Sequence, residues 1–424
     1  MVIGIGTIKF MKACIHRGSK EIGGTCIELE SQGKRIILDI GCPLDCTINE
    51  AIIPEISGTH NHDKSLLGII ISHPHLDHYG LINAVTQDVP ILIGDGAKKI
   101  INAANFFFPA NNPKLNDYIR LEDRKSISLG PFIITPYLVD HSAYDAYAIQ
   151  IEADGKSLFY SGDFRGHGRK RKLLDRLVAH PPEKIDTLLM EGTTLSRGSD
   201  KIQYPSEDDL EERFTHLIKN TEGMVLIWSA AQNIDRLVTV YKACRKADRL
   251  LIFDMYTASI LNAIGNPNLP QPGWKYLKIF LPYQQKKIII DRKLFDFAKP
   301  FSSHRIYPEQ LKTVPKKAVM LFRPSMAKDL EKASCLKNAS LIYSLWPGYL
   351  KEEKLNWFHD WLNKNKIPLK HCHTSGHAPI FDLQRFANAI KADRLVPIHS
   401  FEPNLYQEYF KNVEIQNDGK WWII

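Results

Sequence analysis

The segment His73-Pro74-His75-Leu76-Asp77-His78 places four side chains able to ligate a metal within six residues, and nothing else in the chain restricts the fold as strongly. Packing three imidazoles and a carboxylate on one loop is costly unless something positively charged binds them. Zinc takes nitrogen and oxygen ligands of this kind, and a catalytic zinc site leaves one position open for water. The apolar run Leu67–Ser72 before the cluster reads as a strand and Leu76–Val85 after it as a helix, so the cluster sits on a strand-to-helix loop. His73 and His75 suit one ion, while Asp77 and His78 turn to a second. A single loop cannot complete two sites, so further ligands are expected at the ends of other strands, where loops collect functional residues.

The chain offers such residues. His141 follows the strand-like Phe132–Val139, Asp163 follows Leu158–Ser161, and His399 follows Leu395–Ile398. Together with the loop they make up two metal sites. A two-metal centre, with ions about 3.5–4 Å apart, activates water and clamps the oxygens of an in-line displacement. Two Zn²⁺ are expected, with Mn²⁺ as the alternative that the same ligand types admit.

At 424 residues the chain is too long for one ordinary domain, so two units are expected, or one interrupted by another. The first part is strand-rich. Thr25–Glu30 and Lys34–Asp39 flank the hairpin signal Ser31-Gln32-Gly33, Ala146–Glu152 and Ser157–Ser161 flank Ala153-Asp154-Gly155, and Thr187–Met190 closes the portion. Beyond Leu195 strands and helices alternate, as in a parallel α/β sheet: helix Glu207–Lys219, strand Met224–Trp228, helix Asn233–Ala247, strand Leu250–Phe253. The end reads as strand, helix, strand Leu395–Ile398 and a final hairpin ending in Trp421–Ile424.

Composition narrows the class. With 44% apolar and 24% charged residues the chain reads as soluble and globular, with no apolar run of the roughly 20 residues a bilayer requires. Met1–Phe10 lacks the features of a signal peptide, and Met11 could serve as an alternative start. Seven scattered cysteines, with Cys42 and Cys46 the one close pair, point to reduced thiols and a cytoplasmic location. The formal charge of +8 suits a polyanionic partner.

On these residues the chain resembles the metallo-β-lactamase superfamily and, within it, the β-CASP nuclease branch. Leu38-Asp39-Ile40-Gly41 is similar to the first motif, whose aspartate supports the metal loop; His73–His78 is similar to the second, His141 to the third, and Asp163 in Tyr160-Ser161-Gly162-Asp163-Phe164-Arg165 to the fourth, which bridges the ions. Glu191, His377 and His399 match the three motifs the β-CASP branch adds. His373-Thr374-Ser375-Gly376-His377-Ala378 and Ser229-Ala230-Ala231-Gln232-Asn233-Ile234 resemble the ribonuclease J group. The resemblance implies an αββα sandwich over 1–194 and 370–424, interrupted by an α/β β-CASP domain over 195–369. Histidine at the third added motif is the form of RNA-processing members, where DNA-repair members typically carry valine.

The activity so implied is hydrolysis of phosphodiester bonds in single-stranded RNA by a ribonuclease J-like enzyme, an exonuclease being one form. DNA is the alternative substrate, another ester class a further one, and a homodimer a candidate assembly. Asp77, His377 and Glu191 are the catalytic candidates, with His377 as the acid for the leaving oxygen and Glu191 as its orienting partner. For substrate, Ser229, Ser375 and Gly376 are candidates for holding a phosphate. Arg165 and Lys170, in a basic run with Arg169, Arg171 and Lys172, are candidates for the backbone. Arg323 and Trp346 could line a cleft, and His371 and His373 read as structural or substrate-loop residues.

Overall fold

Period-two alternation of apolar residues over the first 190 positions gives each strand two faces that can both be buried. The structure, a computed structural model, describes residues 10–44, 50–86, 88–108, 113–197 and 203–424. Most of the apolar start Met1–Phe10 and one of the two neighbouring cysteines, Cys46, lie outside these residues. The chain divides into two compact units, one formed by 1–203 with 376–424 and the other by 204–375.

In the first unit, β1 (Lys12–Arg17), β2 (Cys26–Ser31), β3 (Lys34–Leu38), β4 (Leu66–Ile70), β5 (Ile91–Gly94) and β6 (Ile119–Leu121) lie side by side in that order. A second sheet contains β7 (Ile127–Leu129), β8 (Phe132–Val139), β9 (Ala146–Ala153), β10 (Lys156–Tyr160) and β11 (Thr187–Glu191). Ile27, Leu29, Ile36 and Leu38 of one sheet pack with Ile149, Ile151, Leu158 and Tyr160 of the other in one core. The alternate residues face outward to helices. Ile37 and Ile69 meet Ala97 and Ile101 of helix Asp95–Asn105, while Ala148 and Phe159 meet Leu174 of helix Lys172–Ala179 and Phe386 of helix Ile380–Ile390. Four layers result, helix–sheet–sheet–helix.

The second unit is one parallel sheet. Its strands are β12 (Val225–Trp228), β13 (Leu250–Asp254), β14 (Leu277–Phe280), β15 (Arg305–Ile306), β16 (Ala318–Leu321), β17 (Ser340–Tyr343) and β18 (Leu369–His371), in the order β15-β14-β13-β16-β12-β17-β18. Central strands buried on both faces appear in sequence as unbroken apolar runs such as Val225-Leu226-Ile227. Helix starts are marked by side chains that satisfy free backbone donors. Ser206 and Asp209 form a capping box at Glu207–Lys219, and Asn233 and Asp254 cap Ile234–Lys246 and Met255–Ile264.

The chain then returns to the first unit. β19 (Arg394–Ile398) pairs with β11, and β20 (Trp421–Ile423) pairs antiparallel with β1, Lys12 opposite Ile423. This replaces the expected terminal hairpin, because pairing with β1 lets Ile424 and Trp422 join the inter-sheet core. The helix expected over Leu76–Val85 is also shorter. It stops at Tyr79, and a 3₁₀ turn Ile82–Ala84 follows, because the Leu81 amide donates to Ile40 rather than back into the helix. The six cysteines among the described residues are buried, and no helix among the described residues is long and apolar enough to cross a membrane.

Phe386 is fully buried with its ring 4.4 Å from Phe164 and 5.9 Å from Phe159. Phe386→Ala is expected to cost about 3–5 kcal/mol of unfolding free energy. A urea titration checks this, with a lowered midpoint at unchanged slope as the expected result.

Candidate metal centre

Asp39 stands at the end of β3 with a left-handed backbone (φ 56°) and no exposed surface. Its Oδ1 accepts from the Ser72 amide at 2.7 Å. Its Oδ2 accepts from Ser72 Oγ at 2.7 Å, from the Tyr160 hydroxyl at 2.5 Å and from His78 Nδ1 at 2.7 Å. The segment that follows ties down the histidine loop: the Ile40 amide donates to His78 O and the Cys42 amide to Leu76 O. Between them, Gly41 passes so close that a Cβ there would lie 1.7 Å from the Asp77 carbonyl oxygen, so only glycine fits.

This scaffold aims ring nitrogens at one point. With the Ser72 hydroxyl proton committed to Asp39, Ser72 Oγ accepts from His73 Nδ1 at 3.0 Å, which leaves His73 Nε2 with its lone pair. His78, donating through Nδ1 to Asp39, likewise turns Nε2 inward, 3.1 Å from Asp163 Oδ2. The hydroxyl of Thr193 meets His399 Nδ1 at 2.9 Å and orients that ring in the same way. His399, too, has a left-handed backbone (φ 50°). Two such residues at one site cost about 1–3 kcal/mol each, strain that the surrounding bonds must hold.

Three groups of ligand atoms result, each within 4.8 Å: His73, His75 and His141; Asp77, His78, Asp163 and His399; and Asp163, Glu191, His377 and His399. Asp163 Oδ2 lies 3.8 Å from His73 Nε2 as well as 3.1 Å from His78 Nε2, so this carboxylate stands between the first two groups. His73 Nε2, His141 Nδ1, Asp163 Oδ1 and His399 Nε2 are buried without a hydrogen-bond partner. An unsatisfied buried polar atom costs about 1–3 kcal/mol, and divalent cations would satisfy those of His73, Asp163 and His399, which lie within 4 Å of other candidate ligands. The donor set therefore fits the metal use that the sequence suggested.

Electrostatics agree with ligation. Burial lowers His73, His75 and His141 below the ordinary imidazole value, His75 to about 4, so all three are neutral at pH 7. Burial also disfavours charge on His78 and on the two carboxylates, but their neighbours outweigh it. Asp163, Asp77 and Asp39 push His78 up, and surrounding histidines hold Asp77 and Asp163 well below the usual carboxylate range. His78 Nε2 would have to give up the proton those carboxylates attract in order to hold a metal.

Beside this cluster, Glu191 at the end of β11 accepts from the amides of Phe164 (3.1 Å) and Thr193 (3.3 Å). Its Oε2 is 3.1 Å from His377 Nδ1, and Asp163 Oδ2 is 3.7 Å from the same nitrogen. The His377 side chain keeps 20% of its surface, whereas Glu191 keeps 1%. Gly376 runs alongside: a Cβ there would meet Ser142 Oγ at 2.5 Å and His141 Cε1 at 3.5 Å.

Two basic residues have other positions than their sequence neighbourhood suggested. Arg165 is fully buried, with its Nε 3.5 Å from Asp140 Oδ1, so it does not present its guanidinium to a phosphate backbone. Lys170 Nζ donates to the carbonyls of His141 and Ala143, holding the loop that carries His141. Both support the centre because adjacent carbonyls and a buried carboxylate attract them more strongly than solvent does. Ser229, Arg323, Trp346, His371, His373 and Ser375 belong to the second unit. There His373 Nδ1 meets the Ser344 carbonyl at 3.2 Å, and burial lowers its pKa to about 3. Sequence reading passed over Ser72, Asp140 and Thr193. The available signal was position, since Ser72 and Asp140 immediately precede the candidate ligands His73 and His141.

The residues 53–229 match the family described as the beta-lactamase superfamily domain. These residues thus resemble a metallo-β-lactamase superfamily domain, and the chain is similar to ribonuclease J. It is 29% identical to Ribonuclease J of Helicobacter pylori over 233 residues, 53% of this chain and 33% of that protein. Against Ribonuclease J 2 of Streptococcus pyogenes it is 23% identical over 398 residues, 90% of this chain and 68% of the relative. The match thus spans about a third of the Helicobacter protein's length. A crystal structure of a protein of unknown function from Enterococcus faecalis has the same fold, with a TM-score of 0.79 at 21% identity, covering 98% of this chain and all of that one.

Because three buried histidines are neutral when folded, the unfolded chain binds more protons between about pH 6.5 and pH 4, and stability falls as pH falls through that window. The raised His78 acts oppositely but is one group against three. Melting temperatures of the metal-free protein at pH 7 and pH 5 are expected to show the lower value at pH 5. For the scaffold, Asp39→Asn is expected to weaken metal binding about 10–100-fold, read by competition with a chromophoric chelator. Unchanged affinity would remove Asp39 from its supporting role.

Proposed function

We propose that this chain is a nuclease that hydrolyses phosphodiester bonds of single-stranded RNA, using two Zn²⁺ ions. The observation that carries this reading is the Glu191–His377 pair, 3.1 Å apart and beside Asp163. A hydrolase of activated esters needs no acid for its leaving group, whereas expelling a ribose oxygen does. The names of the similar proteins, Ribonuclease J of Helicobacter pylori and Ribonuclease J 2 of Streptococcus pyogenes, point the same way. So does histidine at position 399, the form found in RNA-processing members of the β-CASP branch that this chain resembles.

In this reading His73, His75 and His141 would hold one cation and Asp77, His78, Asp163 and His399 the other. When bound, the pair supplies Lewis acidity toward phosphoryl oxygens and lowers the pKa of water. The chain's own residues do the rest. Asp77 orients the incoming water through its carboxylate. Glu191, fixed by two backbone amides, holds His377 Nδ1, so that Nε2 faces the leaving oxygen and gives it a proton as the P–O bond breaks. Gly376, where a side chain would run into Ser142, lets the backbone before His377 pass close beside His141.

End-labelled single-stranded RNA and a DNA of matched sequence test the reading. RNA is expected to be shortened and DNA spared, with all cleavage lost on chelation. His377→Ala is expected to lower kcat about 10²–10⁴-fold at unchanged metal content. Full activity of that variant would overturn the acid assignment, and preference for DNA would overturn the RNA assignment.

A further inference from the structure

The charge of the chain is very unevenly placed. Residues 275–317 contain eleven Lys or Arg against Asp291, Asp296 and Glu309, a net of +8, which is the formal charge of the whole protein. The remaining 381 residues therefore hold 44 charges of each sign. This basic stretch lies in the second unit, from the start of β14 to the start of β16, and nine of its eleven cations are exposed. Some surface cations elsewhere are neutralised, as where Lys246 pairs with Glu211 and Glu212 or Arg394 with Glu414. Among the described residues Lys286, Lys287, Lys293 and Lys299 have no carboxylate partner.

Exposed rings are interleaved with these cations. Helix Tyr283–Asp291 buries Ile289 and turns Tyr283, Lys286, Lys287 and Ile290 outward at the i, i+3, i+4 and i+7 positions of one face. Tyr283 is 67% exposed, Phe295 in the next helix 58%, and Tyr307 46% with the Arg305 guanidinium 4.8 Å over its ring. The two helices pack against each other. A merely solvated face has no use for open rings beside unpaired lysines. Single-stranded polynucleotides use both, phosphates pairing with the cations and bases stacking on the rings. At nine residues, with one isoleucine turned inward, the helix has too little apolar surface to hold a membrane by insertion.

We propose that helix Tyr283–Asp291 and the segment through Lys299 form an accessory surface for single-stranded RNA. Lys286, Lys287 and Lys293 pair with phosphates, and Tyr283 and Phe295 stack with bases. The identity of the ligand rests on the nuclease reading. The surface would favour long substrates over short ones.

Fluorescence anisotropy of the full chain in chelator, with 30-nucleotide and 6-nucleotide RNA at several salt concentrations, reads binding without cleavage. The triple variant Lys286→Gln, Lys287→Gln, Lys293→Gln is expected to weaken 30-mer binding by about tenfold or more and to reduce the log–log salt slope by about 2. Tyr283→Ala with Phe295→Ala is expected to weaken binding at an unchanged salt slope. A triple variant that binds the 30-mer as the parent does overturns the proposal. So does loss of binding to phosphatidylserine vesicles with RNA binding intact, or failure of the parent to bind RNA at all. Cleavage by the metal-loaded protein separates the two readings. A parent that binds RNA through these residues and cleaves none fails as a nuclease and keeps the surface, whereas cleavage with an unaffected triple variant fails the surface alone.

Discussion

A single buried carboxylate organises the centre. Asp39 accepts four hydrogen bonds, from the Ser72 amide and hydroxyl, from His78 Nδ1 and from the Tyr160 hydroxyl. Asp39 follows β3, and these groups come from the ends of β4 and β10 and from the helix after the histidine loop, so one residue joins both sheets to the ligand cluster. A carboxylate without those donors would be prohibitively expensive in a site with no exposed surface. The dependence is mutual: Asp39 sets the tautomers of His73 and His78, and their ring nitrogens give the loop a purpose.

Around that carboxylate the first unit gathers strand ends. The candidate ligands follow β4, β8, β10 and β19, and Glu191 ends β11. Pairing β10 with β11 and β11 with β19 in parallel puts their carboxyl ends on one edge of the sandwich. The centre retains local costs that a purely structural core would avoid, namely two left-handed non-glycine residues and four buried atoms without partners. Such costs persist only where surrounding packing is firm, and the Phe159–Phe164–Phe386 cluster behind the second sheet is of that kind.

The second unit follows other rules. Its strands are parallel, its helices are capped by Ser206, Asn233 and Asp254, and it carries the net charge of the chain on one stretch. Buried ionic contacts there serve the sheet, as where Arg236 donates to Glu207 at 3.0 Å in a fully buried pair. The open Lys286, Lys287, Lys293 and Lys299 contrast with that buried pair, and the difference between paired and open charge is what distinguishes a structural ion pair from a binding surface.

Much of this was legible in sequence because it is local. Period-two patterning located β8 to the residue and most other strands within one or two, and alternating strand and helix patterns located the helices Glu207–Lys219 and Ile234–Lys246 of the second unit. The ligand types of the centre could be read from strand ends, since a histidine or aspartate after an apolar run has a chemical meaning without coordinates. What escaped depends on partners distant in sequence. Arg165 reads as a free cation until Asp140 is found against it, β20 reads as half of a hairpin until β1 is found beside it, and Ser72 reads as an ordinary serine until Asp39 faces it. Nor does any local pattern place Glu191 3.1 Å from His377, 186 positions away. The sequence by itself thus determined which side chains are chemically able to bind a cation and how each strand alternates. Only the tertiary structure decided which of them meet, because backbone periodicity acts over a few residues while convergence depends on sheet register and burial across the whole chain.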